Sequence, residues 1–279
     1  LPCAIVKTIT NEVFMFDLTK APHILIAGST GQGKSIALNT MIMSLLYKKH
    51  PAELKLVLME PYGVEFGMYA QIAKQFLASL PNEPVIVSNS GQAISTLNSL
   101  CKEMETRYDL LKMACVRNVQ EYNNKFVNRQ LNPAVGHRFM PYIVVVIDEY
   151  GDFIEEKGQD FETPIVQLAQ YARAVGIHMI ISTKRPTNDI ITGAIKANFP
   201  TRIAFRLPER IDSQVILDCD GAEELLGNGD MLFRAGKSID CIRVQCAFVD
   251  TTEVERINEF ISCQEGYVSS YELPDPYYD

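Results

Sequence analysis

The sequence predicts an α/β fold, a mostly parallel β-sheet flanked by helices. Short apolar runs rich in β-branched residues recur at 23–27, 54–59, 142–147 and 178–182, and stretches of helical period separate them. Strands that alternate with helices make parallel sheets, because the crossover helix returns the chain to the end of the sheet where it began. The first of these runs leads into Gly28-Ser29-Thr30-Gly31-Gln32-Gly33-Lys34-Ser35 and then into a helical stretch. The third ends in two consecutive carboxylates, Asp148 and Glu149.

In chain order, residues 4–7 and 12–16 read as the strands of a small N-terminal β appendage, with Asn11 near the turn. Residues 23–27 form a strand, 34–48 a helix, 54–59 a second strand closed by Pro61 and Gly63, and 85–87 a weaker third. Ile94, Leu97, Leu100, Met104, Tyr108 and Leu111 recur at three and four residues, the spacing of one helix face. Asn118 has N-cap chemistry for a helix carrying Val119, Tyr122 and Phe126. Residues 142–147 are apolar at nearly every position, as a strand must be when helices cover both its faces. A helix at 164–174, strands at 178–182 and 202–205, and a late strand at 241–248 follow. Thr252 with Glu255 reads as the capping box of a last helix whose core face is Val254, Ile257 and Ile261. The expected organisation is the appendage at 1–20, one core at 21–265, and an extended tail at 266–279.

Composition narrows the class. With 279 residues, 47% hydrophobic and 22% charged, the chain has ample material for one large core and is not disordered, collagen-like or a disulfide-stapled miniature. Seven cysteines form no Cys-x-x-Cys pair and leave an odd one, the pattern of reduced intracellular thiols. The four histidines lack the clustering that tetrahedral zinc needs. No apolar run approaches the ~20 residues of a membrane span, and the start of the chain is not that of a signal peptide. The net charge of −8 has to be reconciled with any nucleic-acid partner, since such binding is largely electrostatic.

Gly28 to Ser35 is a complete G-x-x-x-x-G-K-[ST] phosphate loop in its required setting, after a strand and before a helix. Its glycines let the N–H groups of Gly28, Ser29, Thr30, Gly31, Gln32 and Gly33 turn toward phosphates, and Ile36 continues the first helical turn. Lys34 reaches the terminal phosphates and Ser35 ligates Mg²⁺, so ATP with Mg²⁺ is the expected ligand. Asp148 would hold Mg²⁺ through water, and Glu149 would orient and deprotonate the attacking water. At the next strand end, Thr183 offers a hydroxyl suited to sensing the γ-phosphate, although a buried Thr with no such role fits the same residues.

These residues resemble the FtsK/SpoIIIE DNA translocases. The resemblance runs from about Leu1 to Leu273 and rests on the phosphate loop, the strand Val144-Val145-Val146-Ile147-Asp148-Glu149, and Ala172-Arg173-Ala174-Val175-Gly176-Ile177-His178. It also rests on Arg185-Pro186, on Ile191-Thr192-Gly193-Ala194-Ile195-Lys196-Ala197-Asn198, and on Gly229-Asp230-Met231-Leu232. The resemblance implies a RecA-like phosphate-loop NTPase core that forms a hexameric ring around double-stranded DNA and moves along it by hydrolysing ATP. It implies a role in chromosome partition and cell division, and a cytoplasmic domain of an inner-membrane-anchored bacterial protein whose membrane region is not in this chain. It assigns Lys34, Ser35, Asp148 and Glu149 to the ATPase site and Arg173 to the neighbouring subunit's nucleotide, where a fixed guanidinium stabilises phosphoryl charge. DNA contact is implied for Lys184, Arg185, Lys196 and Arg210, in loops facing the channel.

The chain departs from the family's pattern in three places. Glu60-Pro61-Tyr62 stands for Asp-Pro-Lys, Thr183-Lys184-Arg185-Pro186 for Thr-Gln-Arg-Pro, and Asp212-Ser213-Gln214 for Asp-Ser-Arg. Lys184 and Arg185 are then expected to carry more of the DNA grip, offsetting the arginine missing at Gln214. Residues 184–210 hold six cations against Asp189 and Glu209, so the acidic total describes mainly the outside of the molecule. Two other readings stay open: a secretion or conjugation coupling ATPase, and a slowly hydrolysing nucleotide-gated ring.

Overall fold

The computed structural model describes residues 1–8, 13–236, 238 and 240–276. Strands β1 (Pro2–Thr8), β2 (Val13–Asp17) and β3 (His23–Ala27) lead to helix α1 (Lys34–Lys48) and strand β4 (Leu54–Met59). Short elements α2 (Ala73–Phe76), β5 (Ala78–Ser79) and β6 (Ile86–Val87) precede α3 (Ser90–Met113) and α4 (Val119–Val127). Next come β7 (Tyr142–Ile147), α5 (Tyr150–Lys157), α6 (Gln159–Tyr171), β8 (Ile177–Thr183), α7 (Gly193–Asn198), β9 (Thr201–Phe205) and α8 (Arg210–Leu217). The chain ends with β10 (Asp230–Arg234), β11 (Ile242–Cys246), α9 (Thr251–Ser262) and β12 (Tyr271–Glu272).

Ten strands form one mixed sheet in the order β2-β1-β11-β10-β9-β3-β8-β7-β4-β6. From β9 to β6 every pairing is parallel, and β10, β11, β1 and β2 continue the sheet antiparallel. The N-terminal appendage is therefore the edge of the main sheet, joined to it through β11. Alternate residues of each central strand face opposite layers: Ile143, Val145 and Ile147 pack with α3 and α6 residues such as Leu100 and Ile165, while Val144 and Val146 pack with α1 residues such as Met41 and Leu45. Each such fully buried aliphatic side chain contributes about 1.5–3 kcal/mol. Two apolar layers explain why these strands read as unbroken apolar runs instead of alternating ones. Among the described residues no helix is long and apolar enough to cross a membrane.

Several elements differ from the sequence expectation. Helix α6 starts at Gln159, after Gly158 at φ 54° separates it from α5, so Pro164 lies inside the helix and not at its start. The capping box of α9 is Asp250 with Glu253, two residues earlier than expected; the Asp250 N–H donates to the Glu253 carboxylate at 3.1 Å, and Thr252 is already helical. Helices α5, α7 and α8 and strand β10 carried no recognised pattern; the three helices are eight residues or shorter, and the five-residue β10 is set by pairing with β9 and β11. The tail pairs as well as extends: β12 runs parallel to β5, and Leu273 is buried. The turn expected near Asn11 lies outside the described residues.

His23 begins β3, His178 is the second residue of β8, and both are almost completely buried. Burial lowers the His23 pKa to about 3, with His178 and Arg173 adding to the effect, and it lowers His178 to about 4. A depressed histidine leaves the folded chain short of protons that the unfolded chain binds below its pKa of about 6.5, so stability is present above that pH and falls as pH drops. Between pH 7 and 5 each histidine is expected to remove about 2 kcal/mol. Urea midpoints measured across that range should fall steeply, and a His23→Leu/His178→Leu variant should flatten the slope; an equal slope would refute the assignment.

Candidate active site

The order of the parallel strands reverses at β3, which lies between β8 and β9 although its next strand in sequence, β4, is beyond β7. Such switch points open a crevice at the carboxyl ends of the strands. The register places Ala27 level with Thr183, and Ile147 level with Ile181, so the segments after β3, β7 and β8 meet at that edge. The Gly28 N–H donates to the Thr183 carbonyl at 3.2 Å and the Ser29 N–H to the Arg206 carbonyl at 3.2 Å, which seats the phosphate loop between the two strands.

The far side of the loop is clasped by the 227–229 turn. Gly33 has φ 113°, and a Cβ there would lie 2.8 Å from the backbone of Gly229. The Gly229 N–H donates to the Gln32 carbonyl at 3.0 Å, and Gly229 itself has φ 90° with Gln245 and Cys246 against it. Close backbone approach and left-handed conformations together require glycine at both positions. Gly229→Ala is expected to displace this turn and weaken nucleotide affinity about tenfold, from roughly 1–3 kcal/mol of strain. Titration with a fluorescent ATP analogue measures it, and unchanged affinity would show that the clasp does not shape the loop.

Helix α1 begins at Gly33 with no side-chain cap and no acidic residue in its first turn. Its first N–H groups therefore face the crevice without intrahelical acceptors, an arrangement suited to an anion. The pocket has a volume of about 540 Å³ and is lined by the loop, Ile36, Asp148, Glu149, Lys184 and the segment from Glu60 to Glu65.

Opposite charges crowd this pocket. Lys34 is buried, with its ammonium 3.1 Å from Asp148 Oδ1 and bonded to Glu149 Oε1. Asp148 also accepts the Ser182 hydroxyl. Glu149 adopts φ 52° and ψ 48°, a costly left-handed conformation for a non-glycine residue, and α5 starts just after it. Lys184 Nζ is 3.1 Å from Asp152 Oδ2 and 3.7 Å from Glu149 Oε2, and the Tyr62 hydroxyl donates to Asp152 Oδ2 at 2.8 Å. Burial works against the Lys184 ammonium, but the Asp152 and Glu149 carboxylates outweigh it and hold its pKa above the usual lysine value. The Ser35 hydroxyl donates to Glu65 at 3.2 Å, while the buried Glu60 carboxylate accepts the N–H groups of Glu65 at 2.8 Å and Phe66 at 2.7 Å.

Lys34, Ser35, Asp148 and Glu149 thus converge, with Ser29, Thr30, Gly31 and Gly33 along the pocket wall. Gly28 packs on Phe205 and Gln32 braces the loop through its carbonyl. The Thr183 hydroxyl is occupied by the backbone of Arg185, accepting its N–H at 3.2 Å, and Ser182 is the strand-end hydroxyl that touches the acidic pair. Arg173 is exposed and precedes β8, at the amino ends of the central strands, opposite the end that holds the phosphate loop. Glu65 and Asp152 had no sequence signal, and Glu60 and Tyr62 had only their departure from the family pattern, since each reaches the pocket only when β4 and β7 pair. Tyr62 and Lys184, two of the residues that depart from the family pattern, meet at Asp152.

The cations of residues 184–210 fall into two groups. Lys184 faces the pocket; Lys196 is 2.7 Å from Asp218, which also binds Arg202; and Arg210 binds Asp220, as Gln214 does at 2.8 Å. Carboxylates from outside the segment therefore offset most of its excess charge. Arg185 and Arg206 are exposed and make no ion pair among the described residues.

Known proteins share this architecture. The FtsK/SpoIIIE family matches residues 1–188. The chain is 47% identical over 278 residues to "DNA translocase FtsK" of Chlorobaculum tepidum, covering 99% of this chain and 34% of that protein, and 43% identical over 265 residues to the protein of the same name from Helicobacter pylori, covering 95% and 29%. It spans about a third of the length of these relatives. Among solved structures, the pCW3 conjugation coupling protein TcpA in its monomer form with ATPγS superposes with a TM-score of 0.75 at 29% identity, covering 92% of this chain and 68% of that one. The cytoplasmic domain of the Thermomonospora curvata Type VII secretion ATPase EccC superposes at 0.79 and 20% identity, covering 100% and 32%. Taken with the phosphate loop and the strand-end carboxylates, these matches make the chain a member of the FtsK/SpoIIIE family.

Proposed function

We propose that this chain is the motor core of an ATP-driven translocase of double-stranded DNA. The observation that carries the reading is the convergence of Lys34, Asp148 and Glu149 at the switch point of the sheet, in a chain up to 47% identical to proteins named DNA translocase. The phosphate loop and the α1 N-terminus bind the phosphates of ATP, and Lys34 exchanges its carboxylate partners for the terminal phosphates. The donor set suits Mg²⁺, because Ser35, Asp148 and the nearby Glu65 offer only hard oxygen atoms. Ser35 and Asp148 would hold the ion, which supplies charge neutralisation to the phosphates when bound. Glu149, once Lys34 has left it, takes the proton of the attacking water.

Arg173 is exposed at the amino ends of the central strands, far from its own chain's pocket; its proposed role is at a neighbouring copy's nucleotide in a ring, for which a hexamer is the proposed size. The exposed Arg185, Arg206 and Arg210 are the proposed contacts to duplex phosphates, and Lys196, half-buried against Asp218, is a lesser candidate. Residues 21–265 form the motor, acting in the cytoplasm in chromosome partition.

A second reading, a conjugation or secretion coupling ATPase, is favoured by the likeness to TcpA. ATP turnover with and without long duplex DNA separates the two. Strong stimulation supports translocation, and turnover indifferent to duplex would support a protein substrate.

A further inference from the structure

We propose that Lys184 is a positioning residue for Glu149, held at the pocket by Asp152 and Tyr62, and not a DNA contact. The inference rests on the ATPase reading of the site and deepens it. The two oxygens of Glu149 face two different cations: Oε1 is bonded to Lys34, and Oε2 lies 3.7 Å from Lys184. Glu149 Oε2 is buried and has no hydrogen-bond partner, which leaves a costly unsatisfied acceptor beside an ammonium slightly too far away to bond.

Nucleotide binding changes this balance. Lys34 has one ammonium, and phosphates entering the loop claim it. Glu149 then loses the bond to Oε1, and Lys184 is the remaining cation within reach. Lys184 is already fixed, at 3.1 Å from Asp152 Oδ2, an oxygen that the Tyr62 hydroxyl also engages at 2.8 Å. Its Nζ also stands 6.0 Å from the centre of the Tyr62 ring, within cation–π reach. A shift of well under 1 Å would bring Lys184 into hydrogen-bond range of Oε2. That bond would hold one carboxylate oxygen and leave Oε1 aimed at the pocket for the water proton. The side chain is about one-third exposed, so its approach to a duplex would mean breaking two contacts with carboxylates.

The test uses Lys184→Gln, Lys184→Arg and Asp152→Asn in the whole chain, with Glu149→Ala as background. Turnover is measured at saturating duplex, affinity for a fluorescent ATP analogue is measured separately, and duplex binding is followed against salt. The inference expects Lys184→Gln to lower kcat about tenfold with nucleotide affinity within about twofold, the pattern of a group acting on the reacting state. Lys184→Arg should recover most of kcat, Asp152→Asn should reproduce the loss, and the salt slope should stay that of the wild type. An unchanged kcat in Lys184→Gln overturns the inference, as does a slope reduced by about 0.9, the signature of a lost phosphate contact. If Lys184→Gln fails to fold, Asp152→Asn decides by the same criteria. Wild-type turnover no higher than that of Glu149→Ala would instead defeat the ATPase reading itself, and this inference with it.

Discussion

Glu149→Ala is expected to lower ATP turnover by about 10²–10⁴-fold, the usual contribution of a positioned general base. Nucleotide affinity should hold or tighten by a few fold. The reason lies in the pocket, where Lys34 is bonded to Glu149 and sits 3.1 Å from Asp148. Removing Glu149 frees Lys34 from one of two carboxylates that compete with the phosphates. Asp148 still balances it, so the buried ammonium is not left unpaired. Lysine 34 itself is a poorer target, because deleting it would strand two carboxylates in the same buried space and confuse binding with folding. Steady-state turnover and an equilibrium binding titration suffice. A variant that keeps more than a tenth of wild-type turnover would show that another group takes the proton.

Arg173→Ala should cost roughly 10³–10⁵-fold if its guanidinium completes a neighbour's site. Geometry excludes action in its own chain: β8 separates Arg173 from the pocket, and its seven residues at about 3.3 Å each span about 20 Å. In the proposed ring, where subunits meet head to tail, the two defects can complement. A site formed by the loop of an Arg173→Ala chain and the arginine of a Glu149→Ala chain is intact, and random assembly makes about a quarter of sites so. Mixing two inactive variants should therefore restore activity toward about a quarter of wild type. Mixtures as inactive as their components would remove Arg173 from that role.

The central fold was legible in the sequence because the physics there is local. A phosphate loop needs specific glycines, one lysine and one hydroxyl within eight residues, and Gly28 to Ser35 supplies them in order. The strands at 23–27, 54–59 and 142–147 were legible because burial on both faces demands apolar residues at nearly every position, with only His23 and Lys55 as polar exceptions among them apart from Tyr142. Short elements were not. Strand β10 owes its existence to partners β9 and β11, and α9 was capped two residues earlier than its pattern indicated because Asp250 was closer to the true first turn than Thr252.

Side-chain roles divide in the same way. The sequence alone picked out a phosphate loop and a strand-end carboxylate pair, and the fold brings Lys34, Ser35, Asp148 and Glu149 to one pocket. The sequence counted six cations between 184 and 210 but could not say what each one faces. Tertiary structure decided that: Asp152 takes Lys184, Asp218 takes Lys196 and Arg202, Asp220 takes Arg210, and Arg185 and Arg206 stay exposed. The physical reason is range. The phosphate loop and the central apolar strands are encoded by neighbours in the chain, whereas a charge is assigned by whichever opposite charge lies within about 4 Å, and for Lys184 that partner is 32 residues away.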